Sequence, residues 1–290
     1  MGLTVKLKSI DCAGKTLSLR LPQIMGVLNL TPDSFSDGGR FIGNDGCLDV
    51  DSALAAAELM VAQGASIIDV GGESTRPGAV VVSEDEQLDR VASVVEQLSS
   101  KVDAVISVDT SSPRLMTEAA RLGAGMINDI RALTAPGALE AIATTNLAVC
   151  MMHMQGQPDT MQHRPEYLNI VQEVLEFFRQ RLADLSVVGL GKERVLIDPG
   201  FGFGKTLDHN LELLAGLEQF GKLSCPVLVG VSRKAMIGQI TDRPVKERIH
   251  GSVSAAMIAI QSGASIVRVH DVAATRDMIK VHVAVNGELD

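Results

Sequence analysis

The stretch GASIIDVGG, residues 64–72, holds the end of a helix, a whole strand and the start of the loop after it. Gly64 is the residue type that closes helices, because without a Cβ it enters the left-handed backbone region freely. Ile67, Ile68 and Val70 form an apolar run with little in-out alternation, the pattern of a strand covered on both faces. Working outward, the unit recurs as Gly123-Ala124 ahead of GMINDI (125–130) and as Gly263-Ala264 ahead of SIVRVH (265–270). Further apolar runs are IMGVLNL (24–30), AVISVDT (104–110), LAVCMMH (147–153), RVLIDPG (194–200) and PVLVGVS (226–232). Helical patterns separate the runs, so the connections read as right-handed crossovers between parallel strands. Eight such units in succession predict closure into a (β/α)8 TIM barrel, an α/β fold.

Ahead of the first unit, Thr4, Val5 and Leu7 on one side and Leu17 and Leu19 on the other flank residues 11–14. This predicts a short N-terminal β-hairpin that plugs the amino-terminal face of the barrel. The longest helical pattern covers residues 166–185, and a second long one covers 245–262 and stops at Gly263. No Pro/Gly/Ser linker or charge block divides the chain, and 290 residues suit one barrel, so residues 1–290 read as a single domain.

Composition removes several classes of function. Hydrophobic residues make up 46% of the chain, enough for a large core and too many for disorder. With one Tyr, no Trp, a net charge of −9 and scattered Lys and Arg, no nucleic-acid partner is expected. Cys12, Cys47, Cys150 and Cys225 form no CxxC pair, so neither a zinc knuckle nor a disulfide framework is signalled; buried thiols in a reducing compartment are expected. The amino terminus lacks an apolar signal region and no long unbroken apolar stretch follows, which predicts a cytoplasmic protein with no membrane partner.

Polar residues interrupt the apolar runs at one end only: Asn29, Asp69, Asp109, Asn128, Asp198, Arg268 and His270. All fall at carboxyl ends of predicted strands, which share one face of a barrel. A helix cap or a tight turn accounts for any one of them; it does not account for the whole set. Ligand spacings such as HExxH are absent, and several carboxylates facing one pocket suit a heterocycle rich in N–H donors. Arg76, Arg233, Lys234 and Arg268 lie in or beside the same loops, so the ligand should also carry an anion.

Two glycine-rich segments, DSFSDGG (33–39) and GGESTRPGA (71–79), follow the first two strands and read as lids over the pocket. A third, DPGFGFGKT (198–206), nearly matches a phosphate-binding P-loop, but Pro199 stands where the first glycine is required. His153 sits among methionines and reads as packed or turn-forming, and residues 150–154 read as core and pocket wall.

At these segments the chain resembles the dihydropteroate synthase family. The resemblance rests on GVLNLTPDSFSDGG (26–39) and GASIIDVGGESTRPGA (64–79), followed in order by SVDT, INDI, MHMQG, DPGFGFGKT, GVSRK and RVHDV across nearly all the chain. It implies a (β/α)8 barrel, usually a homodimer with late helices at the interface, whose small-molecule substrates are a dihydropterin pyrophosphate and p-aminobenzoate. By resemblance Asp109, Asn128 and Asp198 bind the pterin ring, with Lys234 on its oxygen side and Met152 packed nearby. Asn29, Arg268 and His270 hold the pyrophosphate, Mg²⁺ bridges Asn29 to phosphate oxygens, and Thr75 and Arg76 come from the second loop. Phe35, Pro77, Phe203 and Ser232 line the p-aminobenzoate subsite, and Asp37 helps stabilise charge. Asp69 matches the family without an implied role. Lys234, Arg268, His270, Asp37 and Arg76 are the residues expected to act in catalysis.

The inventory suits that chemistry. Pyrophosphate leaving a methylene on an electron-rich dihydropterin permits an SN1-like path in which the protein mainly stabilises charge. An aromatic amine is neutral at physiological pH and needs no strong base, which fits a chain without a Ser-His-Asp or Cys-His pattern. Three other readings remain open. A corrinoid-dependent pterin methyltransferase should lack the two long loop signatures, a non-catalytic pterin-binding paralogue would show decay in the site residues, and a sugar-phosphate barrel enzyme would need a base.

Overall fold

The computed structural model describes residues 7–31, 41, 48–73, 82–158 and 160–287. It opens with a hairpin, β1 (Ser9–Cys12) and β2 (Lys15–Ser18), paired antiparallel from Ser9–Ser18 to Cys12–Lys15. Ala13 and Gly14 turn it with φ of 55° and 91°, the geometry of the turns that match strand twist. Leu7 lies ahead of the first strand and Leu19 just past the second, so the paired strands are shorter than the predicted span; Thr4 and Val5 lie outside the described residues.

Strands and helices then alternate: β3 (Gln23–Asn29), α1 (Val50–Ala62), β4 (Ile67–Gly71), α2 (Glu84–Lys101), β5 (Val105–Asp109), α3 (Pro113–Arg121), β6 (Met126–Asp129), α4 (Ala138–Ala143) and β7 (Ala148–Met152). The second half runs α5 (Ile170–Val187), β8 (Val195–Asp198), α6 (Leu207–Ala215), β9 (Leu228–Val229), α7 (Ala235–Thr241), α8 (Ile249–Gln261), β10 (Ile266–Val269) and α9 (Val272–Asn286). Each of the eight apolar runs contains one strand. They pair in parallel in the order β8-β7-β6-β5-β4-β3-β10-β9. The two ends meet through the parallel bridge Ile197–Val227, where the Ile197 amide donates to the Pro226 carbonyl at 3.0 Å. That contact rounds the sheet into a nearly closed barrel.

Local chemistry explains the repeat. At Gly64, Gly123 and Gly263 the backbone is left-handed, with φ of 107°, 91° and 101°. In each case the glycine amide donates three residues back and the following alanine amide donates five back, as in Ala65 to Met60, Ala124 to Ala119 and Ala264 to Ala259. These are Schellman closures that release the chain straight into the next strand. Ser83 and Ser112 cap the starts of α2 and α3 by accepting from the Glu86 and Leu115 amides.

Two helix boundaries differ from the sequence reading. The pattern over 166–185 becomes a helix only at Ile170, because Asn169 accepts from the Gln172 amide while Glu173 accepts from the amides of Leu168 and Asn169. At 18 residues this helix equals α2, so it is not uniquely the longest. The pattern over 245–262 splits into a short turn of 3₁₀ helix (Val245–Glu247) and α8, with Arg248 bonding the Arg243, Arg233 and Lys234 carbonyls at the break.

Most of the apolar core lies between barrel and helices. A separate cluster fills the amino-terminal end of the barrel interior, with Met25, Ile67, Val105, Met126, Leu196, Leu228 and Ile266 from the strands meeting Ile10, Cys12 and Leu17 of the hairpin. The hairpin therefore plugs that end, and the opposite end is left for polar chemistry.

Candidate active site

Strand register builds the site. Asn29, Gly71, Asp109 and Asn128 are successive register partners across β3, β4, β5 and β6, forming one belt at the carboxyl ends. Gly71 contributes no side chain to this belt; a Cβ there would stand 3.4 Å from Asn29 Oδ1. Asp69 and Ser107 are paired two residues deeper, and Met152 pairs with Asp198 across β7 and β8.

Asp69 is fully buried and gathers three other strands. Its Oδ1 accepts from the Ser107 hydroxyl at 2.6 Å, and its Oδ2 accepts from Asn128 Nδ2 at 3.1 Å and from Arg268 Nε at 2.7 Å. Arg268 also donates through Nη2 to Asp109 Oδ2 at 3.2 Å. Burial and the adjacent Asp69 carboxylate push Asp109 up to about 7, against the pull of the Arg268 guanidinium. Asn128 Oδ1 is the single buried side-chain polar atom without a partner among the described residues.

Across the pocket, Asp198 uses Oδ1 to accept the Gly200 amide at 2.8 Å. Burial raises its pKa, opposed by Lys234. Lys234 is drawn down to about 8 by burial, opposed by Asp198. Its ammonium donates to the Phe201 carbonyl and stands 4.6 Å from the centre of the Phe203 ring, a cation–π contact. Phe203 is half-buried at the edge of its loop, and Met152 is buried.

Below them is a pair that the sequence reading did not place in the site. Lys205 Nζ lies 3.0 Å from His153 Nδ1 and donates to the Phe203 carbonyl at 3.0 Å. Burial draws Lys205 down to about 7 and holds His153 well below its ordinary value. The sequence signal for Lys205 is its place in the glycine loop set aside as a failed P-loop. On the anion side, Ser232 Oγ accepts the His270 amide at 3.2 Å and lies 3.0 Å from His270 Nδ1. Arg233, read from sequence as a pocket cation, grips Asp271 with two hydrogen bonds of 2.9 and 2.5 Å and so braces the loop.

Asn29, Asp109, Asn128, Met152, Asp198, Phe203, Ser232, Lys234, Arg268 and His270 thus lie at or close to the carboxyl ends of the strands, whereas Asp69, expected at such an end, sits in the middle of β4. Phe35, Asp37, Thr75, Arg76 and Pro77 lie outside the described residues, as do most of both predicted lids. No group of three or more His, Cys, Asp or Glu suited to hold a metal occurs among the described residues. What the pocket offers is a set of acceptors for ring N–H groups at one level, with Lys234 and Arg268 to receive negative charge.

A barrel with this acceptor belt defines the class of pterin-binding enzymes, and the family model for pterin binding enzymes matches residues 25–270. The dihydropteroate synthase of Haemophilus influenzae is 54% identical over 267 residues, covering 92% of this chain and 95% of its own. The Yersinia pestis dihydropteroate synthase, solved as a sulfonamide drug complex, superposes with a TM-score of 0.92 at 48% identity, over 97% of this chain and all of that one. The Xanthomonas albilineans enzyme in complex with 7,8-dihydropteroate gives a TM-score of 0.85 at 43% identity, over 96% of this chain and 98% of that one. The chain belongs to the dihydropteroate synthases, transferases of folate biosynthesis.

Proposed function

We propose that the pocket joins 6-hydroxymethyl-7,8-dihydropterin pyrophosphate to p-aminobenzoate, forming 7,8-dihydropteroate and releasing pyrophosphate by an SN1-like path. The observation that carries this reading is the buried, unpartnered oxygen of Asn128 on the same rim as Asp109 and Asp198, which calls for a ligand edge rich in N–H groups. Asp109, Asn128 and Asp198 bind the pterin ring, Met152 packs on it, and Lys234 donates to its oxygen side. Arg268 Nη1, which makes no hydrogen bond among the described residues, and His270 hold the pyrophosphate with Thr75 and Arg76. Phe35, Pro77, Phe203 and Ser232 line the p-aminobenzoate subsite.

Positive charge grows on the pterin methylene as the C–O bond to pyrophosphate breaks. Buried carboxylates at the ring stabilise it, while Arg268 and His270 stabilise the charge leaving with the phosphate. Asp37 adds negative charge from the first loop. The amine attacks in its neutral form and needs no base. The Asn29 amide oxygen is a hard oxygen ligand of the kind Mg²⁺ prefers and would hold that ion. Bound there, it supplies Lewis-acid polarisation of the leaving group.

The chain works as one domain over residues 1–290 and as a homodimer. Ile240, Ile258, Val281 and Val285 leave apolar surface exposed on α7, α8 and α9, which supports a subunit interface on those helices. Among the described residues no helix is long and apolar enough to cross a membrane. Free buried thiols at Cys12, Cys150 and Cys225 suit the reducing cytoplasm. Incubating the protein with the pterin pyrophosphate, Mg²⁺ and p-aminobenzoate, and identifying the product by mass, tests the reaction. Dihydropteroate from the complete mixture alone supports it, and tight pterin binding without product overturns it.

A further inference from the structure

The contacts proposed for the ligand leave Asp69 without a task, although it is fully buried and bonded by three donors. We propose that Asp69 is a positioning residue for pterin recognition: it fixes the Asn128 amide with its oxygen turned to the pocket, so that the site demands an N–H from the ligand at that point. This inference rests on the pterin reading given above and deepens it.

An asparagine amide is nearly the same shape in its two flipped orientations, but they present opposite hydrogen-bond patterns. A carboxylate only accepts, so Asn128 can face Asp69 with Nδ2 and not with Oδ1. In the flipped orientation two acceptors would meet at the 3.1 Å now spanned by a hydrogen bond. Asp69 itself has no freedom to turn. Ser107, its register partner on β5, holds Oδ1, and Arg268 from β10 holds Oδ2 beside Asn128. With Ser107 on one oxygen and both Arg268 and Asn128 on the other, every contact of the carboxylate is an accepted hydrogen bond.

The result is visible at the other end of the amide. Asn128 is buried, yet its Oδ1 has no partner among the described residues. A buried acceptor in that state destabilises the free protein and is satisfied by a donor arriving from the pocket. A ligand presenting an acceptor there leaves both groups unpaired, and sites built this way discriminate more sharply than apolar pockets do. Specificity at this point is therefore set by a residue that the ligand does not touch.

The test is a double-mutant cycle read by calorimetry with 6-hydroxymethyl-7,8-dihydropterin. Omitting pyrophosphate keeps phosphate contacts of Arg268 out of the measurement. Asp69→Asn and Asn128→Ala are each expected to weaken binding about tenfold or more, as for loss of a well-formed polar contact. The double variant is expected to bind within about threefold of Asn128→Ala, because without the amide Asp69 has nothing to orient. Losses that multiply, or wild-type affinity in Asp69→Asn, would overturn the inference. Wild-type affinity in Asn128→Ala would instead overturn the pterin assignment, and this inference with it. If Asp69→Asn does not fold, Ser107→Ala takes its place in the same cycle, with the same coupling expected and additive losses again overturning the proposal.

Discussion

Lys205 Nζ lies 3.0 Å from Nδ1 of His153, and both residues are buried at the foot of the loop that carries Phe203. The ammonium donates also to the Phe203 and His153 carbonyls, so one side chain ties the loop to the end of β7. Lys205→Ala leaves those acceptors buried and unpaired, at about 1–3 kcal/mol for each lost partner. Reduced stability in urea unfolding is expected, together with a raised KM for p-aminobenzoate as Phe203 loosens. An unchanged unfolding midpoint would show that the pair does not hold the loop.

Asp198 and Ser232 should separate the two substrates. Asp198→Asn removes charge from the pterin side and is expected to weaken dihydropterin binding about tenfold to a hundredfold, the range for a hydrogen bond to a charged group. Ser232→Ala should mainly raise the KM for p-aminobenzoate, with pterin affinity kept. Calorimetry with each ligand decides the matter, and equal pterin affinity in wild type and Asp198→Asn would remove that carboxylate from the pterin site.

The raised carboxyl of Asp109 gives a pH signature. Its folded value of about 7 exceeds its unfolded value of 3.8, so the folded state binds the proton more readily. Asp109 therefore opposes folding fully above pH 7, and the opposition fades as pH falls toward 4. The stability of Asp109→Asn relative to wild type is expected to rise between pH 4 and pH 8 in urea titrations. A fall over that range would contradict the sign.

Gly200 has φ of 73°, and a Cβ there would stand 1.8 Å from the His153 carbonyl oxygen. Backbone cannot give way as a flexible side chain can, and the left-handed conformation adds strain. Gly200→Ala is expected to disrupt the turn after Asp198 and to abolish pterin binding while reducing thermal stability. A variant with wild-type affinity and unfolding temperature would show that the turn relaxes freely.

Much of this was legible before the structure. The eight apolar runs each became a strand because a buried parallel strand leaves a continuous apolar signature, and the three Gly-Ala junctions became Schellman closures because the backbone there needs a glycine. The belt of Asn29, Asp109 and Asn128 was readable for the same reason. Boundaries of α5 and α8 were not, since Asn169, Glu173 and Arg248 decided them through specific side-chain bonds. The pairing of Arg233 with Asp271 was not readable either, because charge alone does not name a partner 38 residues away.

The sequence by itself determined the barrel, the plugged end and the end where polar chemistry gathers. Periodicity and glycine placement are local properties, and parallel strands necessarily put their carboxyl ends on one face. Only the tertiary structure decided who bonds whom. The three partners of Asp69 lie 38, 59 and 199 residues away along the chain. Their meeting depends on strand register and barrel closure, which bring distant side chains to within 3.1 Å and which no local pattern encodes.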